Sequence, residues 1–250
     1  FAGHPTEAGL RSTARTAAVR VVVRVISVET DGDVRVVTLD RPDRRNALTP
    51  AGLDELADAV TGAETPVVYL RGAGSAFCAG ADLDAVAALA DREAAEAFVE
   101  RGQRTARAIA SCDRVVVAGV DGAARGGGVE LALACDLRVA TGDASFAESG
   151  VEHGLFGAWG GTVRLPAVVG PSDATDLALS GRVVDATEAR AMGLVSRVVD
   201  DPREVAHEVA DNDPLAVRTV RARLRDDADR ETRERRERES FGALWERFER

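Results

Sequence analysis

Residues Ala124–Leu133 read ARGGGVELAL. Three consecutive glycines run straight into a segment with the composition of a good helix. Each glycine in a regular element costs roughly 0.5–1 kcal/mol relative to alanine, so three together need a physical cause. A glycine turn at a helix start exposes backbone N–H groups that have no intrahelical partner, and the helix dipole adds positive potential there. Such a turn can receive an anion, or a carbonyl oxygen that becomes one during reaction. Glu130 lies three residues beyond Gly127, on the same helical face. Its carboxylate would stand beside that oxygen, an arrangement suited to proton transfer. A second reading is equally open at this point. The glycines could serve only close packing of helix on strand, with Glu130 a first-turn glutamate favoured by the dipole.

Working outward, the same grammar occurs earlier in the chain. Val67–Leu70 reads as a short buried strand, and the small-residue loop Gly72–Ala81 follows it. Val115–Val120 is a second buried strand, leading into the Gly122–Gly128 loop. Each loop precedes a helical segment, Ala85–Ala110 in one case and Val129–Ala134 in the other, and Leu137–Ala140 returns to strand. Residues 19–29 and 33–40 read as a strand pair turned by Asp31-Gly32-Asp33. Thr49-Pro50 opens a helix through about Val60, threonine as cap and proline at the first helical position. From Pro171 onward helices dominate, with a short strand at Val195–Val199. Strands alternating with helices make this an α/β protein. Two separate glycine loops could each supply one N–H to a single oxygen.

The chain has 250 residues, 42 acidic against 32 basic, for a net charge of -10. Every basic residue other than histidine is arginine. An acidic surface argues against nucleic-acid binding, which needs a cationic footprint. Acid excess without lysine fits a salt-adapted, halophilic source, and arginine-rich codon usage accounts for the missing lysine equally well. No segment reaches the roughly 18 apolar residues of a membrane span, and the apolar run Val19–Ile26 is broken by Arg20 and Arg24, so neither a membrane partner nor a signal peptide is expected. Cys78, Cys112 and Cys135 lie far apart and form no metal-type pair. They read as buried thiols of a protein in reducing cytoplasm, with no metal site.

Five stretches together carry a resemblance: DRPDRRNAL at 40–48, AFCAGADL at 76–83, ARGGGVELALACDLRVA at 124–140, FAESGVEHGLFGAWGGTVRLPAVVG at 146–170 and LSGRVVDATEARAMGLVSRVV at 179–199. In this order, from about residue 27 to 225, the chain resembles the crotonase (enoyl-CoA hydratase/isomerase) superfamily. The resemblance implies a spiral of repeated ββα units over residues 19–200 and a helical trimerisation region over 201–250, with residues 1–18 an extension outside the fold argument. It implies an acyl-CoA substrate, no separate cofactor, and a homotrimer or dimer of trimers. By motif position the N–H groups of Ala81 and Gly127 would hold the thioester oxygen, and Glu130 aligns with the family's first catalytic glutamate. Ala79, Gly80, Asp82 and Leu83 align with the segment that wraps adenine and pantetheine; Gly126 belongs to the second loop. Arg44 and Arg45 lie where a basic residue approaches the CoA phosphates. Trp159 lines the acyl pocket or packs in the core, and Arg164 orders the loop electrostatically.

One departure bears on the chemistry. The position of the second glutamate of typical hydratases is occupied by Gly150. Hydration ordinarily uses two carboxylates, whereas isomerisation can run on one that shuttles a single proton. Glu148 and Glu152 stand two residues to either side, where a loop shift could bring one in, and His153 is close; each taken singly reads as surface-loop polarity. Enoyl-CoA hydration and double-bond isomerisation are therefore the leading readings. A decarboxylase, thioester hydrolase or C–C lyase on the same scaffold, or a non-catalytic CoA-binding protein, are the alternatives.

Overall fold

The computed structural model describes residues 25–248; residues 1–18, the expected strand start at 19–24 and His4 lie outside them. The chain opens with the antiparallel pair β1 (Ile26–Asp31) and β2 (Val34–Leu39), then α1 (Pro50–Thr61), β3 (Val67–Gly72) and β4 (Ala76–Cys78). Next come α2 (Leu83–Ala87), α3 (Arg92–Ser111), β5 (Val115–Val120), β6 (Ala123–Arg125) and α4 (Gly127–Ala134). Strands β7 (Leu137–Ala140) and β8 (Ser145–Ala147) precede a 3-10 turn at Ser149–His153. The remainder is α5 (Gly161–Val169), α6 (Pro171–Ser180), β9 (Val184–Asp185), α7 (Ala186–Ala191), β10 (Arg197–Val198), α8 (Pro202–Ala210), α9 (Pro214–Leu224) and α10 (Arg230–Phe248).

Six strands form one sheet in the order β1-β2-β3-β5-β7-β10, and four form a second in the order β4-β6-β8-β9. From β2 through β10 the larger sheet is parallel, and β4, β6 and β8 are parallel in the smaller one. The chain thus visits both sheets in turn, β3 then β4, β5 then β6, β7 then β8. Side chains alternate across the large sheet with the period of two that a strand imposes. Val37, Leu39, Val68, Leu70, Val116 and Ala118 join the main core with α1, α3 and α4. Val34, Val36, Val67, Tyr69, Val115 and Val117 face the other way, where Val205 and Ala206 of α8 cover them. Burial on both faces is why these strands read as continuous apolar runs.

The helix expected over Ala85–Ala110 is two helices. Asp82 caps α2 by accepting from Ala85 N, and Asp91 caps α3 by accepting from Ala94 N at 2.8 Å. An aspartate at each start outweighs the alanine-rich composition that made the stretch look continuous. Both glycine loops conceal a three-residue strand, and α5 extends the helical inventory beyond the sequence reading. The cap at Thr49 is as expected, its Oγ1 accepting from Gly52 N at 3.2 Å. All three cysteines are buried and free, and burial pushes the Cys78 and Cys135 thiols up to about 12, which keeps them unreactive.

The first glycine loop is tied to the segment 40–48 by Asn46, a buried residue at φ 58°. Its Nδ2 donates to Ala73 O and Ala76 O at 2.9 and 2.7 Å, and its Oδ1 accepts from Arg41 N at 2.9 Å. Ala79 N donates to Arg45 O, Leu48 N to Gly80 O and Asp82 N to Leu48 O. The stretch 79–82, turned at Gly80 where φ is 84°, is held by these bonds, none of which uses the N–H of Ala81.

The three consecutive glycines have three different causes. Gly126 sits at φ 45°, ψ -114°, a conformation closed to L side chains. A Cβ on Gly127 would stand 2.3 Å from the Trp159 ring. A Cβ on Gly128 would stand 2.2 Å from the carbonyl oxygen of Cys78, a backbone atom that cannot move aside. Substitution by alanine should therefore destabilise the protein at all three positions, by about 1–3 kcal/mol at Gly126 and by more at Gly128. Urea unfolding of the three variants checks this; a Gly128→Ala protein as stable as its parent contradicts the packing described.

Candidate active site

The two glycine loops meet. A Cβ on Gly80 would fall 2.8 Å from Gly127 N and 2.8 Å from Arg125 O, so the segments touch where each exposes an unused amide. Gly127 N opens α4 and, like Ala81 N, has no hydrogen-bond partner among the described residues. Both residues line one cleft of about 220 Å³ together with Glu130. Of the sequence-derived site residues, Ala79, Leu83, Gly126, Gly150 and Trp159 line it as well.

Glu130 is almost wholly buried, with 1% of its surface exposed. Its Oε1 accepts from Trp159 N at 2.7 Å and Gly161 N at 2.6 Å. Oε2 has no hydrogen bond among the described residues and is the oxygen left for the cleft. Burial raises the Glu130 pKa, against the downward pull of the Gly161 and Trp159 amides and of Arg164. Arg164 in turn donates Nη1 to Trp159 O at 3.1 Å, so it orders the loop as its sequence position implied. The Trp159 ring is locked by its neighbours. It meets Phe98 edge to face at 6.0 Å, and a Cβ on Gly102 would stand 2.2 Å from it. The indole is thus both core packing and cleft wall.

The other sequence-derived residues lie outside this cleft. Asp82 is buried, ion-paired with Arg41 and capping α2. Gly80 is buried behind the amide of Gly127. Arg44 pairs with Asp84 at 2.9 Å on the surface. Arg45 lines a separate small hollow with Arg125, next to Ala79. Among the described residues, no group of three or more His, Cys, Asp or Glu is arranged to hold a metal, and no helix is long and apolar enough to cross a membrane.

The sequence reading of Glu148 is corrected by the structure. It is not loop polarity: only 6% of its surface is exposed, and neither carboxyl oxygen has a hydrogen-bond partner among the described residues. It stands beside Glu130. A Cβ on Gly157 would lie 2.6 Å from Glu148 Oε2 and 3.0 Å from Glu130 Cδ, so the two carboxyls converge on the space beside this glycine. Burial, and then the charge of Glu130, pushes Glu148 up to about 8. The signal available in the sequence was its place directly after the buried strand β8. At Gly150 the room for a second glutamate is taken by backbone, since a Cβ there would fall 2.9 Å from Phe156 Cα. Glu152 and His153 are exposed, as expected, although His153 also borders the cleft.

Residues 29–243 match the family described as Enoyl-CoA hydratase/isomerase. A crotonyl-CoA hydratase of Syntrophomonas wolfei is 38% identical, the match covering 79% of this chain and 80% of that protein. A short-chain-enoyl-CoA hydratase of Clostridium acetobutylicum is 35% identical, covering 77% and 78%. The crystal structure of an enoyl-CoA hydratase from Bacillus anthracis superposes with a TM-score of 0.83 at 34% identity, over 89% of this chain and 91% of that one. With the paired glycine loops and the buried glutamate between them, these matches make the chain a member of the enoyl-CoA hydratase/isomerase family.

Proposed function

We propose that the protein hydrates 2-enoyl-CoA thioesters. The observation that carries the reading is the buried Glu130 carboxylate, oriented by two backbone amides beside a cleft into which two further amides open. A thioester oxygen that accepts from Ala81 N and Gly127 N would be stabilised as negative charge develops on it, in a site where little water competes. Glu130 then accepts the proton of the water that adds to the double bond. The relatives named as hydratases support hydration over other uses of an enolate. Isomerisation is the second reading, favoured by Gly150, because one carboxylate can take a proton from one carbon and return it to another. The spiral winding of ββα units fits the alternation of the chain between the two sheets.

Assembly through the C-terminal helices belongs to the same proposal. Val220 and Leu224 of α9 and Phe241, Trp245 and Phe248 of α10 are exposed, and apolar side chains at helical spacing on a solvated helix call for a partner surface. We infer a homotrimer, for which light scattering should return three times the 26.3 kDa of the chain; a monomer at micromolar concentration contradicts it.

Purified protein should remove the ultraviolet absorbance of the conjugated thioester of crotonyl-CoA. Glu130→Gln should lower kcat by about 10²-fold or more while leaving CoA affinity within a few fold. A wild-type protein that binds CoA but turns over neither 2-enoyl- nor 3-enoyl-CoA would identify a binding protein, and equal loss of binding and turnover in the variant would assign Glu130 to folding.

A further inference from the structure

We propose that Glu148 is a second acid–base residue of this site, donating a proton to the acyl chain beside Gly157, on the face of that glycine that Glu130 also reaches. The assignment rests on the hydratase reading above and goes beyond it, because the position from which such an acid is expected, Gly150, has no side chain. Three observations carry it. The carboxyl is more than nine-tenths buried with both oxygens unpartnered, a costly arrangement that a folded protein ordinarily avoids. It lines an apolar cavity of about 230 Å³ walled by Val151, Phe156, Leu165 and Leu179. That cavity and the Glu130 cleft share Phe156 and Gly157 as their common wall. An acyl chain running from the Ala81 and Gly127 amides to Gly157 would end beside both carboxyls.

Their environments divide the roles, as environments do for any close carboxyl pair. Burial raises Glu130 too, but the two backbone N–H bonds it accepts and the nearby Arg164 oppose that rise. Glu148 has no donor and feels the charge of Glu130, which favours its neutral form. The other charged groups around it are peripheral: Glu152 and His153 on the 3-10 turn are exposed, and α6 lends only Ala174, Thr175, Ala178 and Leu179 to the cavity. In hydration, Glu130 takes a proton from water as the water oxygen bonds to Cβ. The π pair of the Cα=Cβ bond moves through Cα to the thioester oxygen. As that pair returns to Cα, it takes the proton of Glu148. The proton on Glu130 then passes to the Glu148 carboxylate, restoring both groups.

The test uses Glu148→Gln and Glu148→Leu, with crotonyl-CoA turnover followed against pH and unfolding followed without substrate. Both variants should lose about 10²-fold or more in kcat with KM within a few fold. Wild-type kcat should fall as pH rises through about 8, a limb that residual Glu148→Gln activity should lack. Without substrate, the folded wild type keeps the Glu148 proton up to about pH 8, whereas the unfolded chain releases it near the ordinary carboxylate value. The Glu148 contribution to stability should therefore be fully present below that ordinary value and be lost as pH rises towards 8, and both substitutions should remove that component. Activity and pH profile unchanged in the variants overturn the proposal. So does a wild-type stability curve that the substitutions leave unaltered, or a loss of turnover matched by loss of folding. Inactivity of the wild type towards every enoyl-CoA would instead defeat the hydratase reading, and the substrate-free curve would still report on the buried proton.

Discussion

A carboxylate cannot be taken out of water without donors to replace it, and the geometry around Glu130 follows from that requirement. The donors are the main-chain amides of Trp159 and Gly161, which reach Oε1 because the chain there carries no obstructing side chain. A Cβ on Gly161 would already stand 2.8 Å from that oxygen. The amide of Trp159 is placed by its ring, which fills the space left by Gly102 on α3 and Gly127 on α4. One indole therefore couples the helix that carries the acid, the helix opposite and the loop that orients the acid. The amide of Gly127 belongs to this same unit, so the proposed oxygen-binding donor and the proposed base are set by shared packing.

The neighbouring acid obeys the opposite logic. Glu148 is buried with no donor at all, and the one charge it senses is that of Glu130. Two carboxyls that converge beside Gly157 cannot both ionise cheaply. Burial raises both groups, and the two backbone donors on Glu130 make Glu148 the one that holds a proton the more tightly. Phe156 contributes by its backbone, which occupies the room a side chain at Gly150 would need. The loop that removes the usual position for a second acid is also the wall across which Glu148 faces the cleft.

Away from the cleft, charge is used to hold helices in place. Asp136 accepts from Val116 N and pairs with Arg221 and Arg225, fastening α9 to the sheet. These arginines stand in place of lysine throughout the chain. Their planar heads suit such multidentate pairing, which a lysine ammonium would not reproduce.

Much of this could be read from the residues in order. Strand alternation, the Thr49-Pro50 helix start and the demand of three glycines for a special backbone are local properties, governed by neighbours a few positions away. They led correctly to an α/β fold and to two loops flanking Glu130. The three-residue strands β4, β6 and β8 escaped notice because a repeat of two has no statistical weight over three residues. The separate causes of Gly126, Gly127 and Gly128 were equally hidden, since one is a backbone angle while the others are a ring and a carbonyl contributed by distant segments. Glu148 was misjudged for the same reason. Its burial is imposed by α5, α6 and the turn at Phe156, none of which it meets in sequence. Local chemistry determined where an amide and an acid would be available; only long-range packing decided which groups lost their water, and it is the loss of water that sets a carboxyl's proton affinity.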